Sequence, residues 1–356
     1  MKGRVVELAK QQHGSKQLQK ILARASPDFV NFAIEECLYD MHDLMVDAYG
    51  NYFCQKLLQS SSSAQRHKIL NVLRPNILKI SCDKKGTHSM QCLIEMINMP
   101  EEEQELKEGI TEHILNLAFD PNGTHVLQKV LLCLKEDQID FIFDPILENF
   151  VDLSMDQNGL CVIKKIVLKI QGHEKRIAIG KVLAENVVSL VQNPYGNYAV
   201  QQALDNWTLE YCLGIFQKLE PHLMQLSVQK FSSNVIERVL EKSEFDTVER
   251  FQKRLCDIEV MKGLIKNTYG FYVMQKLVSV MRRHKASIKP VQQAIQDTIQ
   301  YATDKTLRQK WQGILAQGQQ HQMGSTSGGS SHGLSYHNNS QYGDGGGHYK
   351  GDQGHW

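Results

Sequence analysis

No two cysteines in this chain stand in a C-x-x-C pair, although eight are scattered through it, at 37, 54, 82, 92, 133, 161, 212 and 256. A zinc site at these positions is not expected, and a disulfide framework is implausible in a chain of 356 residues without an export signal. Small buried thiols in a reducing compartment are the expectation. The N-terminal stretch MKGRVVELAK lacks the apolar core of a signal peptide, and no run reaches the roughly 18 uninterrupted apolar residues of a membrane helix. A soluble intracellular protein is expected. Net charge is only +1, so any anion-binding surface must come from charges segregated onto one face. A phosphate-cradling loop, a metal-ligand box and a grouping of nucleophile, base and orienting residue are also missing, which argues against an enzyme.

What the chain does have is a repeat. YGNYFCQKLL at 49–58 returns 146 residues later as YGNYAVQQAL at 195–204. Six related stretches join them: HGSKQLQKIL, KGTHSMQCLI, NGTHVLQKVL, NGLCVIKKIV, FSSNVIERVL and YGFYVMQKLV. Taking the residue after the Gly (after Ser232 in the seventh) as position 1, the register falls at Ser15, Asn51, Thr87, Thr124, Leu160, Asn197, Ser233 and Phe271. The intervals are 36, 36, 37, 36, 37, 36 and 38. So steady a period marks a repeat architecture. Seven of the eight units have Gly before position 1, as a turn residue at positive φ would require.

Apolar segments of helical spacing lie between these stretches, for example AQRHKILNVLRPNILKIS and IAIGKVLAENVVSLV, each closed by a polar turn such as DPNG or NPYG. Each unit therefore reads as a helix, a turn and a second helix. One such unit cannot bury its own apolar face, whereas stacked units can. The fold class expected is all-α, a curved α-solenoid of eight units spanning 1–318, with capping helices in 285–318. Val126, Leu127, Val130 and Leu131 are expected in its core. The chain is expected to begin almost inside the first unit, so that this end is either trimmed or exposed. From 322 to 356 the chain is rich in Gly, Ser and His, a composition expected to be disordered; its histidines are irregularly spaced and suggest no metal.

Positions 1, 2 and 5 of the repeated helix lie together on a turn, with position 6 one turn beyond position 2. Position 2 holds Lys16, Tyr52, His88, His125, Cys161, Tyr198, Asn234 and Tyr272. Position 5 holds Gln19, Gln55, Gln91, Gln128, Lys164, Gln201, Glu237 and Gln275. Position 6 is basic at Lys20, Lys56, Lys129, Lys165, Arg238 and Lys276. Rings stack on bases, amides bond base edges and cations follow phosphates. The acidic run EEEQELKE at 101–108 gathers negative charge elsewhere. Single-stranded nucleic acid fits this stripe better than a peptide, which gives no reason for Gln at one helical position in six units.

The motifs GNYAVQ, GNYFCQ, SSNVIE and GSKQLQ, spaced near 36 over residues 1–280, resemble the Pumilio family of RNA-binding proteins. The resemblance implies that positions 1 and 5 read base edges, that position 2 stacks, and that the RNA runs antiparallel. It assigns Asn51/Gln55 with Tyr52, and Asn197/Gln201 with Tyr198, to uracil. It assigns Ser233/Glu237, around Asn234, to guanine and Ser15/Gln19, under Lys16, to adenine. Thr87/Gln91 and Thr124/Gln128 suit adenine or loose reading. Leu160/Cys161/Lys164 has neither ring nor amide; Lys164 meets a base carbonyl, meets a phosphate or specifies nothing. Phe271 removes a hydrogen-bonding group, leaving Tyr272 and Gln275 to lean toward uracil. The implied element is 5′-(U)-G-U-N-N-(A)-U-A-3′.

The resemblance further implies a cytoplasmic, monomeric regulator of mRNA 3′-untranslated regions. It would need no cofactor or membrane, and would act through deadenylase or translational-repression factors. Two alternatives stand beside it: a low-specificity RNA binder in ribosome assembly or RNA processing, and a protein-interaction solenoid.

Overall fold

The computed structural model describes residues 3–316, which form helices and connecting turns with no strand among them. The expected tail at 322–356 lies outside the described residues.

Eight inner helices follow one another at the repeat interval: Gln12–Leu22, Gly50–Ser60, Gly86–Met96, Gly123–Cys133, Gly159–Lys169, Gly196–Asn206, Ser232–Lys242 and Thr268–Arg283. Each packs side by side on the next, forming one continuous layer. Outer helices such as Ser63–Leu73 and Pro100–Ile110 form a second layer, also packed neighbour on neighbour. Val126, Leu127, Val130 and Leu131 are buried between the layers, as their spacing predicted. Beyond the eighth unit, Lys289–Thr298 and Lys305–Ala316 pack on each other, and the latter also on the last inner helix.

The two-helix reading of each unit needs correction. In most units the first helix is broken, as where Ser63–Leu73 passes through a 3-10 turn at Arg74–Asn76 into the short helix Ile77–Cys82. Equivalent 3-10 turns lie at Leu38–Asp40, Thr111–His113 and Glu220–His222. The tighter turn redirects the chain, so the short helix runs beneath the inner helix and buries Ile77 and Ile80 there. The sixth unit alone keeps one continuous outer helix among the described residues, His173–Gln192.

The repeated glycine is also explained differently from the expectation. Among the described glycines only Gly3 has positive φ; the repeat glycines lie in the first turn of the inner helices. Their requirement is space. A Cβ on Gly86 would lie 2.2 Å from the Ile80 carbonyl oxygen, and one on Gly196 would lie 2.8 Å from that of Leu190. The seventh unit has Ser232 here, and its hydroxyl donates a 2.7 Å bond to the corresponding carbonyl of Leu226.

Three residues before six of the seven repeat glycines, all but Gly14, a side-chain oxygen gathers the free amides of the helix start. Asp47 accepts from the backbone N–H of Tyr49 at 2.9 Å and of Gly50 at 2.8 Å. Asp83, Asp120, Asp156, Asn193 and Asn267 repeat the arrangement. Such bonds satisfy helix N–H groups that have no partner within the helix. Asn122 and Asn158 then tie successive units by donating to the carbonyls of Cys82 and Phe119, at 3.0 and 2.9 Å.

Cys37, Cys54, Cys92 and Cys212 are buried, and burial pushes the Cys37 thiol up to about 12 and that of Cys212 to about 11. Such thiols are protonated and inert. Cys133 and Cys161 depart from the expectation of buried thiols and are exposed. Among the described residues no helix is long and apolar enough to cross a membrane.

Candidate nucleic-acid interface

The register predicted from the sequence holds geometrically through all eight inner helices. Position 2 is exposed in every unit and position 1 is buried in every unit. Tyr52 and Tyr198 are each 52% exposed, an unusual setting for a large ring unless it serves a contact. Lys16, His88, His125, Cys161, Asn234 and Tyr272 are the other exposed members of that column.

Position 1 acts mainly from below. Asn197 donates through Nδ2 to the carbonyls of Asn193 and Pro194, at 2.8 and 3.0 Å, while its Oδ1 accepts from Gln201 Nε2 at 2.8 Å. Asn51 makes the same set, with Gln55 held at 3.2 Å. In the first, third and fourth units a hydroxyl replaces the amide. Ser15, Thr87 and Thr124 donate to the carbonyls of Tyr49, Asn122 and Asn158 in the following unit, at 2.8, 3.0 and 3.2 Å. Their oxygens accept from Gln19, Gln91 and Gln128, at 3.0, 3.2 and 3.5 Å. In all five units the glutamine is half-buried and fixed through one N–H, leaving its carbonyl and second N–H to face outward. A fixed amide offers one acceptor beside one donor, which is the complement of the N3–H and adjacent carbonyl of uracil.

Where position 1 has no oxygen, position 5 is loose. Leu160 and Phe271 are buried hydrocarbon, and Lys164 and Gln275 above them are the two exposed members of the position 5 column. The Phe271 ring lies edge-on to Trp311 with centroids 5.1 Å apart, so it belongs to the contact with the terminal helix.

The seventh unit carries the carboxylate. Glu237 is half-buried over Ser233, and that burial raises its pKa above the ordinary value, opposed by the nearby Lys276 and Arg238. A cavity of about 310 Å³ opens in front of it, lined by Tyr198, Gln201, Asn234, Glu237, Arg238, Glu241 and Lys276. Ring, amide, carboxylate and cations from three successive units therefore meet around one space.

The cations are less uniform than the sequence suggested. Lys129 lies 3.7 Å from Glu95, Arg238 lies 3.5 Å from Asp205, and Lys276 lies 3.0 Å from Glu241. Each acid sits at position 9 of the preceding unit. Among the described residues Lys20, Lys56 and Lys165 have no such partner. The expectation that acidic charge gathers away from the stripe therefore holds only in part. The 101–108 run is on the outer helix Pro100–Ile110, where Glu102 is buried in a 2.7 Å pair with Arg66. Arg66, Glu102 and the position 9 acids were missed by the sequence reading. The 33- to 36-residue separation of these pairs was the available signal, since it matches the repeat.

A solenoid of helical units that presents exposed rings, fixed amides and cations along one layer belongs to the class of nucleic-acid-binding repeat proteins. The chain is more specifically a member of the Pumilio family: the model of the Pumilio-family RNA binding repeat matches residues 4–36, 40–74, 76–105, 113–147, 149–183, 186–220 and 222–251. A Pumilio domain-containing protein of Schizosaccharomyces pombe is 30% identical over 83% of this chain, and Pumilio homolog 12 of Arabidopsis thaliana is 31% identical over 77%. The aligned region spans 44% and 46% of those relatives' own lengths. Among solved structures, the Puf4 RNA binding domain bound to a 3′-UTR recognition sequence superimposes with a TM-score of 0.80 at 28% identity, covering 87% of this chain and 98% of that one. The RNA-binding domain of yeast Puf5p bound to RNA gives a TM-score of 0.69 at 25% identity, covering 91% and 92%.

Proposed function

We propose that this protein binds single-stranded RNA sequence-specifically, reading a UGU-containing element in mRNA 3′-untranslated regions and regulating translation or stability of those messages. The observation that carries the reading is the pair of fixed amides over Asn51 and Asn197 together with the half-buried Glu237 at the adjoining cavity. A carboxylate accepts from both N1–H and the exocyclic amine of guanine, which no other base offers side by side. Tyr198 supplies the stacking face next to it. Read antiparallel, units eight to one propose 5′-(U)-G-U-N-N-(A)-U-A-3′.

The protein would act in the cytoplasm as a monomer, with deadenylase or translational-repression factors as its effectors. A second reading, a low-specificity RNA binder, is favoured by one observation: the fifth unit has neither ring nor fixed amide. Selection from a random single-stranded RNA pool at physiological salt separates the two. The first reading expects G-U near the 5′ side and U-A near the 3′ end of the enriched sequence. Tight, salt-sensitive binding without an enriched motif would establish the second, and absence of RNA binding would leave a protein-interaction solenoid.

A further inference from the structure

On the RNA reading above, each base would stack between position 2 of one unit and position 2 of the next. The eighth unit has no ninth behind it. In that place stands the terminal helix Lys305–Ala316, anchored by buried Trp311, whose indole N–H donates to the Ile265 carbonyl at 3.1 Å. Trp311 takes up Phe271, so the position that would hold an amide is used for docking the helix. One turn face of the same helix carries Lys310, exposed, with its ammonium 3.3 Å from the Tyr272 hydroxyl. The same nitrogen is 5.2 Å from the Tyr272 ring centroid and 5.7 Å from that of Phe271. Together these distances put the ammonium at the hydroxyl end of the tyrosine and not above the centre of its ring, and Tyr272 remains 40% exposed. A cavity of about 460 Å³ adjoins it, lined in part by Tyr272, Gln275, Ser279, Arg282 and Ile314. Arg282 is exposed there.

We propose, resting on the RNA reading above, that the terminal helix completes a nucleotide site at the eighth unit, in which Lys310 binds the phosphodiester on the 5′ side of the base stacked on Tyr272. The site holds a nucleotide by stacking and charge, where other units hold theirs by stacking and edge reading. Phe271 offers the base edge no polar group, and Gln275 is not fixed as its counterparts are. A cation at the end of the stacking column neutralises a phosphate whatever the base, so the site sets where the bound segment begins more than what it begins with.

The test compares two RNAs, one starting at the guanine of the element and one carrying two further 5′ nucleotides. Lys310→Ala should weaken binding of the longer RNA by about fivefold and lower its salt slope by about 0.7, the share of one phosphate on a single strand. It should leave the shorter RNA unaffected, and Lys310→Arg should bind both like the parent protein. An equal loss on both RNAs, or no loss on the longer one, would overturn the assignment. A parent protein that binds neither RNA removes the underlying RNA reading and this site with it, whereas a parent that binds both isolates the question to Lys310.

Discussion

The fifth and sixth units share a backbone plan but present different chemistry. Both bury four apolar residues on the inner side of the stack, Val162, Ile163, Ile166 and Val167 in one and Ala199, Val200, Ala203 and Leu204 in the other. Both begin at a glycine pressed against a carbonyl, with a Cβ of Gly159 falling 2.6 Å from the Leu153 oxygen and one of Gly196 falling 2.8 Å from the Leu190 oxygen. The sixth unit adds Tyr198 beside Asn197 and Gln201, and a hydrogen bond between those two amides fixes the glutamine. The fifth has Leu160, Cys161 and Lys164, with the lysine exposed above hydrocarbon. What holds the solenoid together is thus separable from what faces outward, and a unit can lose its reading residues without losing its place in the stack.

The comparison is broken most severely by attacking what the two units share. Gly159→Ala and Gly196→Ala should each destabilise the protein by roughly 3 kcal/mol, because added volume must be accommodated against backbone; denaturant unfolding measures both. Similar losses in the two units would establish that the glycine serves packing, and a loss confined to the sixth would tie it to reading instead. Next in size, Tyr198→Ala should cost about 2 kcal/mol of RNA affinity, the worth of one base–aromatic stack. Cys161→Ala in the fifth should cost nothing measurable by the same titration.

A smaller effect is expected from Glu237→Gln, which should relax or switch the preference at the guanine position by about 1.5 kcal/mol, read from competing RNAs that differ at that base. The same carboxylate sets a pH dependence. Its pKa is raised by burial, so lowering pH protonates it sooner than an ordinary glutamate and removes an acceptor. Affinity for the guanine-containing RNA should therefore fall on acidification, starting above the usual carboxylate range, while an RNA with another base at that position should change less. Smallest of all, Lys56→Ala should lower affinity for every sequence alike and reduce the salt slope by about 0.7, as expected for one phosphate contact on a single strand. Lys129→Ala should reduce it less, since Glu95 already partly neutralises that lysine at 3.7 Å.

Much of this was legible in the chain. Period, turn residues and the apolar positions at 126, 127, 130 and 131 led to an all-α repeat array, because stacking identical units forces the same pattern of burial on each. The exposed column at Tyr52 and Tyr198 was readable for the same reason: side-chain direction follows from helical phase. The glycine requirement was misread because conformational freedom and lack of space select the same residue, and only the 2.2 Å approach to the Ile80 carbonyl distinguishes them. The split of the outer helix is signalled in the chain only by Pro75 and Pro221, within two of the 3-10 turns; the equivalent turn at Thr111–His113 contains no proline, and both halves of each helix share one apolar spacing.

The sequence by itself determined the repeat, its register and the kinds of side chain brought to one layer, since these depend on spacing along a single chain. Tertiary structure decided which of those side chains are fixed and which are free. Gln201 is held because the Asn197 oxygen lies beneath it, and Gln275 is not because Phe271 turns instead to Trp311. Lys276 is paired and Lys56 is not because each position 6 meets position 9 of its neighbour, a contact made between units 35 residues apart in the paired case. Hydrogen bonds and ion pairs of this kind depend on ångström-scale placement between units, which only the packed stack supplies.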